Sequence, residues 1–236
     1  MKITKKILLT MAMTMALGTS AFAASGFEFI LNVPFGLNVG IPTKETKDLG
    51  GQDTHMGFDV GVDAQIGYMI SVKDGFGISL LAELGYSFDS YGYGYSETIG
   101  NTTTRASFGQ RYHSFKVGLL PKFNIGVGNG AIAIGIGGGA KIPISGKSGT
   151  TITVGSEDAT EVVTLKRKDI TDLFSPSVIG YVKVTFDYYL FFTDNIGMNF
   201  GLYLGGDFAP KLKNTKIGTD AFDIGLQLGF RFGPKA

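Results

Sequence analysis

Residues 222–232 read Phe222-Asp223-Ile224-Gly225-Leu226-Gln227-Leu228-Gly229-Phe230-Arg231-Phe232. Every second position is large and apolar, and the positions between carry a charge, an amide or no side chain. Successive side chains of a strand point to opposite faces, so this stretch has one apolar wall and one polar or small wall. Seven earlier segments repeat the pattern: Phe27–Ile41, Phe58–Ile70, Phe76–Phe88, Phe115–Ile125, Ile132–Ile142, Val178–Leu190 and Ile196–Phe208. Each has room for the roughly 9–11 residues that a tilted membrane strand needs.

A soluble barrel or sandwich alternates too, with its apolar face turned inward. Two features favour the opposite sense. The polar face is crowded with glycine (Gly61, Gly85, Gly118, Gly137, Gly201 and Gly229 among others), which suits a cramped lumen better than a solvated surface. Aromatic residues also gather at the segment ends. Phe27, Phe29, Tyr68, Phe76, Phe123, Tyr188, Phe192, Phe230 and Phe232 fall at one end, and Phe58, Tyr86, Phe88, Phe108, Phe208 and Phe222 at the other. Two such belts mark the two interfaces of a membrane. The expected fold is therefore all-β: an eight-stranded, antiparallel, up-and-down transmembrane β-barrel.

The connectors alternate in length. Ser71–Gly75, Gly128–Gly130 and Thr193–Asn195 are short, whereas Pro42–Gly57, Asp89–Ser107, Ser145–Ser177 and Ala209–Ala221 are long. Short turns on one side and long outer loops on the other are the pattern of bacterial outer-membrane barrels. Within the third long connector, Thr151–Val154 and Glu161–Leu165 look like a hairpin too short and polar to span. It is expected to extend the fifth and sixth strands above the membrane, leaving eight spans rather than ten. Pro34, Pro121 and Pro143 interrupt strand readings, and since proline cannot donate to a ladder, bulges or breaks are expected there.

The N-terminus carries Lys2, Lys5 and Lys6, an apolar run from Ile7 to about Leu17, and Ala21-Phe22-Ala23. That is the layout of a secretory signal peptide, residues 1–23, leaving 24–236 as the barrel domain. Removing three lysines lowers the basic count from 21 to 18 against 20 acids, a formal charge of −2. Such a balance argues against a nucleic-acid partner. The chain has no cysteine, 36 glycines and only 17% charged residues, against roughly 25% in soluble domains. The absence of cysteine removes a disulfide framework and a thiol for lipid attachment.

These features together resemble the small eight-stranded outer-membrane barrels of the OmpA-, OmpX- and OmpW-like group. The residues that carry the likeness are the signal segment, the eight alternating strands, the alternating loops and the closing Leu228-Gly229-Phe230-Arg231-Phe232. The resemblance covers the whole expected mature chain. It implies the outer membrane of a diderm bacterium, contact with its lipid, and delivery by the barrel-assembly machinery through the C-terminal strand.

Glu28, Asp63, Glu83, Lys116, Lys122, Lys141, Lys183, Asp187 and Arg231 fall on the inner face in this register. An eight-stranded barrel is only wide enough for side chains to fill it, so these charges are expected to pair. Glu28 with Arg231, Glu83 with Lys116 near Asp63, and Lys122 with Asp187 are the expected pairs. A salt-bridged plug is favoured over a gated ion path.

Tyr91, Tyr93 and Tyr95 in the second long connector, and Lys166, Arg167 and Lys168 in the third, are candidate contacts for an extracellular ligand. The role expected is structural or interactive, adhesin- or antigen-like, with a narrow pore or a conduit for small molecules as the alternative.

His55 with Asp89-Ser90 resembles the acyl-transfer residues of the lipid A palmitoyltransferase barrel, but the match is three common residue types. His113-Ser114 resembles the lipid A deacylase, yet neighbours on a strand face opposite ways. The chain is therefore read as a non-enzyme, without cofactor or metal. Gly135-x-Gly137-Gly138-Gly139 lacks the lysine of a phosphate loop and lies in a strand.

Overall fold

A computed structural model describes residues 25–51, 53–100, 102–155 and 157–236. The expected signal peptide, residues 1–23, lies outside the described residues. In chain order the elements begin with strand β1 (Gly26–Pro42), helix α1 (Lys44–Asp48) and strands β2 (Asp53–Thr54) and β3 (Met56–Lys73). Next come β4 (Phe76–Ile99), β5 (Thr102–Leu119), β6 (Lys122–Val127), β7 (Gly130–Val154) and β8 (Glu157–Lys166). Helix α2 (Arg167–Leu173), β9 (Phe174–Ser175), β10 (Ile179–Phe191), β11 (Ile196–Phe208), β12 (Lys211–Leu212) and β13 (Thr219–Phe232) complete the chain.

Eight staves form an antiparallel ring: β1, β3, β4, β5 continued by β6, β7, β10, β11 and β13, which returns to β1. The closing ladder runs from Phe29 opposite Phe232 to Pro42 opposite Thr219. Ring closure gives the backbone of every stave a neighbour on each side, as a membrane interior demands.

Burial assigns the two faces. On β13, Phe222, Ile224, Leu226, Leu228 and Phe230 are 42–47% exposed, whereas Gln227 and Arg231 are fully buried. A water-soluble fold buries its large apolar groups and exposes its charges. Here the sense is reversed all round the ring. Phe27, Tyr68, Phe123, Tyr188, Phe192 and Phe230 project outward at the short-turn end, and Phe58, Tyr86, Phe208 and Phe222 at the other. The molecule is a transmembrane β-barrel.

Each expected strand is present, with different ends where prolines or loops intervene. The fourth segment is one stave in two pieces, because Leu120 and Pro121 leave the ladder between β5 and β6. Backbone bonds from Leu120 N to Leu81 O (2.8 Å) and from Ile136 N to Pro121 O (3.1 Å) bridge the gap. At Pro143 the β5–β7 register slips between His113 and Ser114, and opposite β3 the ladder skips Val33 and Pro34.

The largest departure is in the second long connector. Asp89–Ser107, read as a loop, is mostly hairpin: β4 and β5 stay paired as far as Ile99 opposite Thr102. The alternation that holds inside the membrane continues beyond it, with Asp89, Tyr91, Tyr93 and Tyr95 on one face. In the third connector β7 and β8 form the expected outer hairpin, Ser145 opposite Lys166 through Val154 opposite Glu157. Helices α1 and α2 in the outer loops were not anticipated. On the opposite side, Asp74-Gly75 turns β3 into β4, with Gly75 at φ +73° where a side chain would be strained.

Leu226 sits mid-strand on the lipid face. Leu226→Arg should lower the stability of the lipid-embedded barrel by about 2–4 kcal/mol, the cost of a cation near the bilayer midplane. Reversible urea unfolding in lipid vesicles measures this. A neutral result would mean that this face is solvated.

Candidate functional site

The inner face organises into three layers of side chains. The lowest lies at the short-turn end. Arg231 Nε stands 2.9 Å from Glu28 Oε1, and both side chains are fully buried. The guanidinium also donates to Asn124 Oδ1 (3.0 Å) and to the Pro234 carbonyl (3.1 Å), and its carbon lies 4.3 Å from the Tyr189 ring centroid. Ser79 donates to the second Glu28 oxygen. Every face of the Arg231 head is therefore occupied, across the full width of the lumen.

In the middle layer Lys122 Nζ lies 2.8 Å from Asp187 Oδ2 and donates to Tyr189 Oη (3.0 Å). Gln227 and Asn199 donate to the other Asp187 oxygen. Slightly higher, Lys116 meets Asp63 (2.5 Å) and Glu83 (3.2 Å), while Lys183 meets Glu83 (2.8 Å). Tyr181 donates to Glu83 at 2.9 Å. Two lysines and two acids thus form a closed square, which offsets the cost of holding each charge away from water.

The outer layer is unbalanced. Lys141 bridges Asp89 (2.7 Å) and Asp207 (2.5 Å), with Tyr91 donating to Asp207 at 2.6 Å. Asp59 accepts from Tyr203, and Asp223 is buried nearby. Four carboxylates thus surround a cavity of about 40 Å³, and Lys141 pairs with two of them. Asp207 Oδ1 and Asp223 Oδ1 are buried without a hydrogen-bond partner among the described residues.

The structure brings Glu28 to Arg231, Glu83 to Lys116 and Asp63, and Lys122 to Asp187, and it joins Lys141 to Asp89 and Asp207. Sequence reasoning missed the inner tyrosines. Tyr181 and Tyr189 share the register of Lys183 and Asp187, and Tyr203 that of Asp207, so alternation alone marks them as inward.

Of the proposed loop contacts, Tyr91 needs correcting. Expected as a contact for an extracellular ligand, it is only 3% exposed and its hydroxyl is committed to Asp207. Its strand runs on above the membrane and keeps its inward face. Tyr93 is half-buried, and burial pushes its phenol above the ordinary range. Tyr95 donates to Glu97, whose carboxylate raises the phenol in the same way. Arg167 is turned inward onto the carbonyls of Ser177 (2.6 Å) and Pro143 (3.3 Å), whereas Lys166 and Lys168 stay exposed.

The residues of the acyl-transfer reading do not assemble. Ser90 Oγ donates to Phe58 O (3.0 Å) and accepts from Phe58 N (2.8 Å), so its proton is not directed at a histidine. Asp89 is held by Lys141. His113 Nδ1 pairs with Tyr86 Oη at 2.5 Å. No group of three His, Cys, Asp or Glu among the described residues has the geometry to hold a metal ion.

No family model and no curated protein matches the chain. Among solved structures, it is similar to the Neisserial surface protein A NspA, at 11% identity and a TM-score of 0.40, covering 87% of this chain and 96% of that one. It is also similar to Ail, the attachment invasion locus protein of Yersinia pestis, at 12% identity and a TM-score of 0.31, covering 89% and 100%. The outer membrane protease OmpT of Escherichia coli matches at 8% identity and a TM-score of 0.36, covering 91% and 99%. The fold assignment rests on the eight-stave ring itself.

Arg231→Met strands Glu28 in the lumen and should cost about 3–5 kcal/mol. The Glu28→Met/Arg231→Met double variant should cost less than the two single changes together, because it leaves no unpaired charge. Urea titrations of all three variants in vesicles measure the coupling, and simple additivity would deny the pair its role.

Proposed function

We propose that the protein is a surface-exposed outer-membrane barrel with a plugged lumen, acting structurally or as an adhesin-like interaction protein through its outer loops. The observation that carries this reading is the stacking of ion pairs at three depths. Arg231 at the lowest level, Lys122 and the Lys116–Lys183 square in the middle, and Lys141 at the outer level each reach across the lumen, so an ion entering must displace buried, paired charges. In this reading residues 1–23 are a signal peptide cleaved on export, and 24–236 are the mature barrel. The assembly machinery reads the C-terminal strand β13. Above the outer aromatic belt, the β4–β5 and β7–β8 hairpins carry the surface available to a partner. The exposed Lys166 and Lys168 next to them suit an acidic or phosphorylated surface. Enzymatic action has no support in the side-chain geometry around Ser90 and His113.

Two experiments test the proposal. In planar bilayers the purified protein should show no stable large open state. A steady open level would favour a narrow pore or conduit instead. Excising the hairpin tips, residues 96–105 and 150–161, should leave a folded barrel while reducing adherence of expressing bacteria to target cells. Unchanged adherence would remove the interaction role and leave a structural one.

A further inference from the structure

Above the membrane the wall of the barrel continues as a sheet that ends at β8. This strand pairs with β7 along its whole length, and among the described residues no strand pairs with its other edge. Glu157–Thr164 are all exposed. Along such an edge alternate residues point their N–H and C=O groups outward without a partner, and these groups are a template for a further strand.

One face of β8 carries, at every second position, Asp158, Thr160, Val162, Thr164 and Lys166. Read backwards, the order of residue types is the same, except that the acid and the base at its ends change places. A copy of the strand laid antiparallel about Val162 therefore sets Asp158 opposite Lys166, Thr160 opposite Thr164 and Val162 opposite Val162. Opposite charges, paired threonines and paired β-branched residues are favourable cross-strand neighbours. The backbone narrows the choice of register. Groups aimed at the free edge belong to alternate residues, so self-pairing joins even positions to even and odd to odd. Centring the contact on Glu161 would set that acid against its own copy. Centring it on Val163 would leave Lys166 facing Thr160.

We propose that the free edge of β8 is a homotypic adhesion site, which pairs antiparallel with β8 of a second copy held in an apposed membrane. The twofold axis of this contact is normal to the sheet, and the barrel axis lies in the plane of the sheet. The operation therefore reverses the barrel axis, so two copies joined this way face each other mouth to mouth. Copies in one membrane would meet with parallel strands instead, bringing Asp158 beside Asp158 and Lys166 beside Lys166. Main-chain bonds along the added strand supply the attraction, and the alternate side chains supply the choice of partner. The inference rests on the surface role proposed above and names a second copy of this chain as the partner.

The chain has no cysteine, so a single introduced thiol reports the contact cleanly. Facing residues of an antiparallel pair have Cα atoms about 4.5–5.5 Å apart, within the range that a disulfide spans. Two populations of proteoliposomes, one holding tagged and the other untagged Val162→Cys protein, should cluster on mixing. Mild oxidation should then yield a disulfide between a tagged and an untagged copy, a product that forms only across vesicles. Ile99→Cys, at the equally outlying β4–β5 tip and 75% exposed, should give roughly tenfold less of it. Asp158→Lys vesicles and Lys166→Asp vesicles should each cluster about tenfold less than wild type, since each variant faces like charges in its own copy. Mixing the two variants should restore clustering, because both pairs again join opposite charges. Retained heat-modifiable gel mobility checks folding, and the wild-type measurement stands without any variant. Wild-type vesicles that do not cluster overturn the proposal, as do equal cross-linking at Ile99→Cys and failure of the mixed variants to cluster. No target cell is present, so these outcomes are read separately from the adherence experiment.

Discussion

A lipid interior offers no partner to a peptide N–H or C=O, and the β1–β13 ladder is how this chain meets that constraint. Fourteen paired positions, from Phe29–Phe232 to Pro42–Thr219, return the last stave to the first. With the ring closed, sidedness follows from the pleat alone. Phe222, Ile224, Leu226 and Leu228 meet lipid, and Asp223, Gly225, Gln227 and Arg231 face the axis. A slip of one residue in this ladder would exchange the two sets.

Closure at eight staves also sets the interior. The circle leaves room for side chains and little else, so the inward charges meet one another at contact distance. Arg231 and Glu28, Lys122 and Asp187, and the square of Asp63, Glu83, Lys116 and Lys183 are the outcome. Tyrosines extend this pairing. Tyr91, Tyr181 and Tyr203 give their protons to Asp207, Glu83 and Asp59, and so satisfy carboxylates without adding positive charge. This matters most in the outer layer, where Lys141 pairs with only two of the four acids.

Strands were legible in the sequence wherever alternation and turn residues agreed. Ile196–Phe208 was read with both ends as they stand, between Asn195 and Ala209-Pro210. The lumen pairs were legible because a register assignment places each charge on a face, and distance from the short-turn end of its strand ranks its depth. The extension of β4 was misread because Tyr91-Gly92-Tyr93-Gly94-Tyr95 has the glycine content of a loop, although its odd positions continue the inward face of Asp89. The inward turn of Arg167 depends on the carbonyls of Pro143 and Ser177, which no local pattern brings to it. The crevice at the outer mouth, lined by Gln110, Phe174 and Leu212 among others, had no local signal at all, since its walls come from connections far apart in the chain.

The alternating faces bear on the journey of the chain as well as on its destination. A nascent segment such as Phe222–Phe232 interposes Asp223, Gln227 and Arg231 among its apolar residues, so it offers no uninterrupted apolar run. The same holds for β10, where Lys183 and Asp187 interrupt Val182, Val184 and Phe186. A translocating channel releases a segment sideways into the inner membrane only when about 20 residues in a row are predominantly apolar. Splitting the greasy content into every second position keeps the unfolded chain below that threshold. The lipid-facing surface then exists only after the ring has closed, which confines membrane insertion to the compartment where folding is completed.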